Sequence, residues 1–164
     1  MPAAKDPQPA TGRERVRRDA AGRDLEVEIF ARKPANSLAE AAAVLGIRPA
    51  DIVKSLVVKR PDDSFLFALI PGDRQISWPK LRAVVGVNRL SMPSPQLAQQ
   101  ATGYERGTIT PLGSTTAWPV FADTAMRGQR VAMGAGEHGF SLFVQADDLL
   151  AALDATVLDI SEPA

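Results

Sequence analysis

The chain has 164 residues, 45% of them hydrophobic, with nineteen Lys and Arg against nineteen Asp and Glu, no cysteine and a single histidine, His138. That length suits one domain with one core, and the balanced charge supplies no global field for bulk nucleic-acid or DNA binding. The missing thiols exclude disulfides, thiolate metal ligands and a cysteine nucleophile, while one imidazole argues against a zinc centre, so no metal and no cofactor is expected.

The charge is nonetheless uneven. Residues 1–120 carry seventeen basic against twelve acidic side chains, and residues 121–164 carry two against seven, so an RNA backbone would prefer the first part. No apolar run approaches the ~20 residues of a membrane span and no signal-peptide core is evident, which makes the cytoplasm the default location.

In chain order, the Pro/Ala-rich residues 1–10 read as a flexible tail, with a folded domain over 11–164. Residues 11–21 read as a weakly amphipathic helix stopped by Gly22. "LEVEIF" (25–30) alternates as a half-buried strand does. "NSLAEAAAVLG" (36–46) is the clearest helix, with a capping-box spacing at Ser37 and Glu40 and Gly46 at its end. "IVKSLVVK" (52–59) and "SFLFALI" (64–70) read as a hairpin across "RPDD", followed by a "PGD" turn. Short helices follow over 77–86 and 94–103, the latter with Ser94 as cap and Pro95 at its first position. A brief strand is expected in "VNRLSM". The remainder gives strands at "WPVFAD", "RVAMG" and "FSLFV", a helix over 145–155 and a last strand at "TVLDI". Short strands interleaved irregularly with short helices indicate an α/β domain built on a mixed sheet rather than a doubly wound one.

Two glycine-bearing loops and one lysine carry the chemistry. "TGYERGTITPLG" (102–113) and "GAGEHG" (134–139) admit positive φ and close backbone approach to a ligand, with exposed N–H groups as donors, although each also reads as an ordinary turn. Neither matches a Walker loop or a dinucleotide fingerprint. Lys54 begins an otherwise apolar strand. A packed stem with its amine in water is the ordinary reading, and a cation placed to hold a carbonyl or phosphate oxygen is the functional one.

Together, "LGIRPADIVKSLVV", "TGYERGTITPLG" and "GAGEHGFSL" followed by "ADDLLAALDATVLDIS" resemble the YbaK/ProX family, the freestanding relatives of the editing domain inserted in bacterial prolyl-tRNA synthetase. The likeness runs from about residue 25 to 161. It implies a single α/β domain with a mixed, strongly curved, barrel-like sheet surrounded by short helices. It implies hydrolysis in trans of mischarged aminoacyl-tRNA, with a Cys- or other small-amino-acid-charged tRNA(Pro) as substrate, no metal and no protein nucleophile. The partners implied are the tRNA acceptor end and prolyl-tRNA synthetase. The alternative is a non-catalytic module that binds tRNA ends or docks on a synthetase.

By the same resemblance Lys54 matches the family's functional lysine. Phe30 falls where relatives carry an aromatic, often tyrosine. Ser55 occupies a position that helps choose the amino acid, Gly103, Gly107 and Pro111 match the loop over the pocket, Asp123 matches an acidic residue after the next strand, and Gly134 and Gly136 match the second loop. His138 reads as a surface histidine. Arg13, Arg15, Arg17, Arg18, Lys59 and Arg60 are candidate RNA contacts.

Overall fold

A computed structural model describes residues 9–164; residues 1–8 of the expected tail lie outside the described residues. Among the described residues five α-helices and nine strands follow in the order α1 (Gly12–Gly22), β1 (Glu28–Ala31), α2 (Leu38–Leu45), β2 (Val53–Lys59), β3 (Phe65–Pro71), β4 (Arg74–Ile76), α3 (Trp78–Val85), α4 (Pro95–Thr102), β5 (Val120–Asp123), β6 (Arg130–Gly134), β7 (Phe140–Gln145), α5 (Ala146–Ala152), β8 (Thr156–Leu158) and β9 (Ser161–Pro163).

The organising strand is β3. All seven of its residues are buried, which is why its sequence is a continuous apolar run rather than an alternation. Its two faces feed two cores. Phe65, Phe67 and Leu69 join Val53, Val57, Val16 and the apolar residues of β6 and β7 in the larger cluster. Leu66, Ala68 and Ile70 join Val58, Leu81 of α3 and Ile160 in the smaller. The β2–β3 hairpin forms in the register Val53↔Pro71 to Lys59↔Phe65.

The sheet is mixed, as expected: in the order β2-β3-β5-β8, the first pair is antiparallel and the other two parallel. The barrel-like single sheet is a correction. Among the described residues the strands divide into that four-stranded sheet, a three-stranded β1-β7-β6 sheet and a two-stranded β4-β9 ribbon, and no barrel closes. The reason lies at β2. Its outer side meets the second sheet at one parallel bridge, Ile52↔Ala132, and the following loop at one antiparallel bridge, Lys59↔Ser91, leaving the stretch between them without a neighbouring strand.

Local signals held where caps were strong. Ser37 accepts from the Glu40 N–H at 3.1 Å, Ser94 accepts from the Leu97 N–H at 3.1 Å, and Gly46, Gly86 and Gly103 take left-handed conformations at helix ends. The departures are local. Helix α1 runs through Gly22 and is capped by Arg23. The first strand begins at Glu28 rather than residue 25. "VNRLSM" contributes only the Ser91 bridge. The β4-β9 ribbon had no alternation to announce it, because each strand is three residues long.

Candidate functional site

A cavity of about 550 Å³ lies along the outer side of β2, within the usual range for small-ligand sites. Six consecutive residues, Ile52–Val57, form one wall. Opposite stand Ala132, Met133 and Gly134 of β6, with Met92 and Pro93 at one end, α2 at another and Arg106, Gly107 and Ile109 of the first glycine loop above. The cavity thus occupies the place a further strand would take between the two bridges at Ile52 and Lys59.

Alternation along β2 sends Ser55 to the face of Val53 and Val57, and Lys54 to the face of Leu56 and Val58. The Lys54 ammonium donates to the Arg74 carbonyl on β4. Burial pushes its pKa below the ordinary 10.5, and the Asp73 carboxylate partly opposes that shift. The Ser55 hydroxyl oxygen is buried and has no hydrogen-bond partner among the described residues. Arg32, just past β1, donates from Nε to the Ser141 hydroxyl at 2.8 Å, which fixes the guanidinium at the cavity wall. Among the described residues the titratable side chains lining the cavity are Arg32, Lys54 and Arg106, with no carboxylate.

Of the residues the resemblance marked, Lys54, Ser55, Gly107 and Gly134 line this cavity. The others stand behind it or beside it. Phe30 stacks on Phe143 with ring centroids 4.8 Å apart. Asp123 is buried and its two oxygens accept from the Ala125 and Ile160 backbone N–H groups, at 2.9 and 3.0 Å. Gly103 caps α4, and Pro111 is buried in the same loop. Gly136 has φ 80°, and a Cβ there would lie 2.7 Å from Tyr104 Cε1, so the second loop packs against the first only with glycine at that position.

The two loops are bound to each other and to α1. The Gly136 N–H donates to Thr108 O at 2.9 Å, and His138 Nε2 lies 2.9 Å from Glu105 Oε2 across the loop tips. Arg15 donates to the carbonyls of Thr102, Gly103 and Gly113, and its guanidinium stacks 4.5 Å from the Tyr104 ring centroid. Asp19 accepts from the Gly113 N–H at 2.8 Å. Arg13 pairs with Glu137 at 3.5 Å and covers the Phe140 ring. Arg13 and Arg15 are therefore engaged with the protein itself, while Arg17 and Arg18 are exposed on the same helix. The sequence offered all four as candidate RNA contacts, with a solvated helix face as the alternative. The signal it missed was Val16: fully buried between them, it shows that this turn of α1 packs against the protein.

Comparison with known proteins decides the family. A family of aminoacyl-tRNA editing domains matches residues 32–152. The chain belongs to that family. The editing domain is 32% identical over 119 residues to a proline–tRNA ligase of Heliobacterium modesticaldum, covering 72% of this chain and 20% of the ligase. It spans about a fifth of the length of the proline–tRNA ligases it matches. It is also 27% identical over 128 residues to EbsC of Enterococcus faecalis, named as a candidate Cys-tRNA(Pro)/Cys-tRNA(Cys) deacylase, covering 77% of this chain and 76% of EbsC. Among solved structures, it is similar to the hypothetical protein APE2540, with TM-score 0.84, 26% identity and coverage of 91% and 100% of the two chains. It is also similar to a candidate trans-editing enzyme for prolyl tRNA synthetase, with TM-score 0.82, 26% identity and coverage of 94% and 99%. No helix among the described residues is long and apolar enough to cross a membrane.

Proposed function

We propose that this editing domain is an aminoacyl-tRNA deacylase that acts in trans, hydrolysing the ester of tRNA(Pro) charged with cysteine or another small amino acid. The observation that carries the reading is the cavity itself: a small, largely apolar chamber whose charged residues are three cations, on a chain of the editing family. Cations suit the phosphates of an acceptor end, and the apolar remainder suits a small side chain. EbsC matches along most of both chains, which favours cysteine as the amino acid.

In this reading Lys54 holds the ester carbonyl or the terminal adenosine phosphate, exchanging the Arg74 carbonyl for substrate oxygen. Backbone N–H groups of the glycine loop, around Gly107, face the developing oxyanion. The ester is already activated, so positioning supplies much of what is needed. Water adds to the carbonyl carbon, the bond to the ribose oxygen breaks, and the proton passes to that oxygen; the neighbouring ribose hydroxyl orients the water. Ser55, Gly134 and the Met133 side shape the amino-acid end. Gly103, Pro111, Gly136 and Asp123 act one step back, holding the loops and strand ends, and Phe30 supports the β1–β7 pair that carries Arg32 and Ser141. Prolyl-tRNA synthetase is the proposed partner, and the cytoplasm the proposed location.

A second reading, a module that binds tRNA ends without turnover, is favoured by one feature: the Lys54 ammonium is already bonded within the protein. A deacylation panel separates the two. Cysteinyl-, alanyl-, seryl-, threonyl- and prolyl-tRNA(Pro) are each incubated with the protein, with and without prior dialysis against EDTA. Release of cysteine or another small residue faster than spontaneous hydrolysis, unchanged by EDTA, is expected. Tight binding with no release on any tRNA would establish the second reading instead.

A further inference from the structure

The outer edge of β2 carries backbone groups that no strand satisfies. The phase of the ladder can be read directly. Lys59 exchanges both backbone hydrogen bonds with Ser91, so its N–H and C=O point away from β3. The N–H of Phe67, opposite Val57, points the other way, to Pro119 O. With a period of two, Val57, Ser55 and Val53 also turn both backbone groups outward. Val53 lies beside the bridge to Ala132. Ser55 and Val57 lie between the bridges, in the cavity wall, and among the described residues no strand is paired with either on that side. At the same residue the buried Ser55 hydroxyl has no hydrogen-bond partner among the described residues.

Edge donors and acceptors that face a partly apolar chamber are costly to leave unpaired. In an antiparallel ladder, one residue opposite such a position satisfies both at once, giving its N–H to the C=O and taking the N–H on its own carbonyl. An α-aminoacyl ester has that same pair of groups on one carbon. Among the described residues the cavity wall holds three cations and no carboxylate, so an α-ammonium entering it has only carbonyl and hydroxyl oxygens as acceptors. A peptide would need the whole edge, but the bridges at Ile52 and Lys59 close it at both ends.

We infer that the backbone of Ser55 is the receptor for the substrate's aminoacyl group: its C=O accepts from the α-ammonium and its N–H donates to the ester carbonyl oxygen, seating the amino acid as a one-residue strand on the free edge of β2. This rests on the deacylase reading and adds a requirement to it. The domain recognises a free α-amine, and does so by main chain, so the requirement survives change of the residue 55 side chain.

The test uses two hydrolysis-resistant adenosines with an amide in place of the ester, 3′-alanylamino-3′-deoxyadenosine and its propionyl counterpart, which lacks only the amine. Both are titrated into the 15N-labelled protein while amide shifts and hydrogen exchange are followed, and alanyl-tRNA(Pro) deacylation is measured in parallel. The expected result is a shifted and exchange-protected Ser55 amide with the alanyl compound, at least ~10-fold weaker binding of the propionyl compound, and the same preference in a Ser55→Ala variant. Equal binding of the two compounds, or protection that bypasses Ser55, overturns the inference. If deacylation proceeds while that occurs, the deacylase reading stands and only the seat is wrong; if there is neither deacylation nor binding of either compound, both fall. Protection of the edge by an extended peptide but by neither adenosine also overturns it.

Discussion

The carbonyls around Arg15 and the backbone edge at Ser55 are the same kind of chemical group in opposite circumstances. Around Arg15, the ends of the glycine loop are tied to α1: Thr102, Gly103 and Gly113 carbonyls accept from one guanidinium, and the Gly113 N–H donates to Asp19. Along β2, the outward Ser55 and Val57 groups face a chamber and have no paired strand among the described residues. Satisfied groups hold shape, and an edge left without a strand can take a ligand's groups instead. A stretch of arginines and a stretch of apolar strand therefore exchange the roles their compositions suggest: Arg13 and Arg15 of the charged helix hold the loops, and the strand is the proposed binding element.

The largest test of that contrast removes residues 1–18. The deletion takes fully buried Val16 out of the larger core and Arg15 off the loop, and should cost at least ~3 kcal/mol, combining side-chain burial and charged hydrogen bonds. Urea unfolding reads it; a deletion that left the midpoint unchanged would show that α1 is ornamental.

Arg15→Met is narrower and should cost about 2 kcal/mol, with deacylation falling as the loop over the cavity loosens. Unchanged stability would break the comparison at its structural side.

Tyr104→Phe is smaller again, about 1 kcal/mol, because it removes one buried bond of 2.7 Å to Leu112 O. The intact phenol adds a signature in pH. Burial pushes its pKa up to about 12 from 10.0, so the folded state keeps a proton that the unfolded chain loses, and stability should decline between those values. The decline should be shallower in the Phe variant.

The smallest effect belongs to Arg17→Ala with Arg18→Ala. Both side chains are exposed, so stability should move by no more than ~0.5 kcal/mol. If they touch RNA, the slope of log affinity against log salt should lose roughly 0.7 for each contact, from a total of about −1 to −3. An unchanged slope makes them solvated surface.

Much of the scaffold was legible because it is written locally. Ser37 with Glu40, and Ser94 with Pro95, mark their helices, and the unbroken apolar run of 64–70 marks the central strand. The ribbon of β4 and β9 was not legible, since three-residue strands are defined by their partners. Nor was the division into three sheets, which turns on where β2's neighbours stop. At the candidate site, Lys54, Ser55, Gly107 and Gly134 were marked through motif resemblance, and one cavity brings them together. Arg32 was missed because its importance comes from Ser141, which is 109 residues distant. The duty of Arg15 was missed for the same reason. Asp123 looked chemical in sequence, but its carboxylate caps backbone at Ala125 and Ile160.

The central claim is that the cavity beside β2 performs deacylation with Lys54 as its cation. It is tested most directly by kcat/KM of the intact protein and of Lys54→Ala on cysteinyl-tRNA(Pro), with thermal unfolding of both followed alongside. Desolvation disfavours the Lys54 charge, so in the protein this ammonium is lost at lower pH than in the unfolded chain. Its unfavourable effect on stability is then present below the folded pKa and relieved as pH rises toward 10.5. At neutral pH the account predicts a fall of at least ~10-fold, about 1.4 kcal/mol of transition-state binding, in a variant that stays folded. A folded Lys54→Ala protein that turns over cysteinyl-tRNA(Pro) at the rate of the intact chain would contradict it.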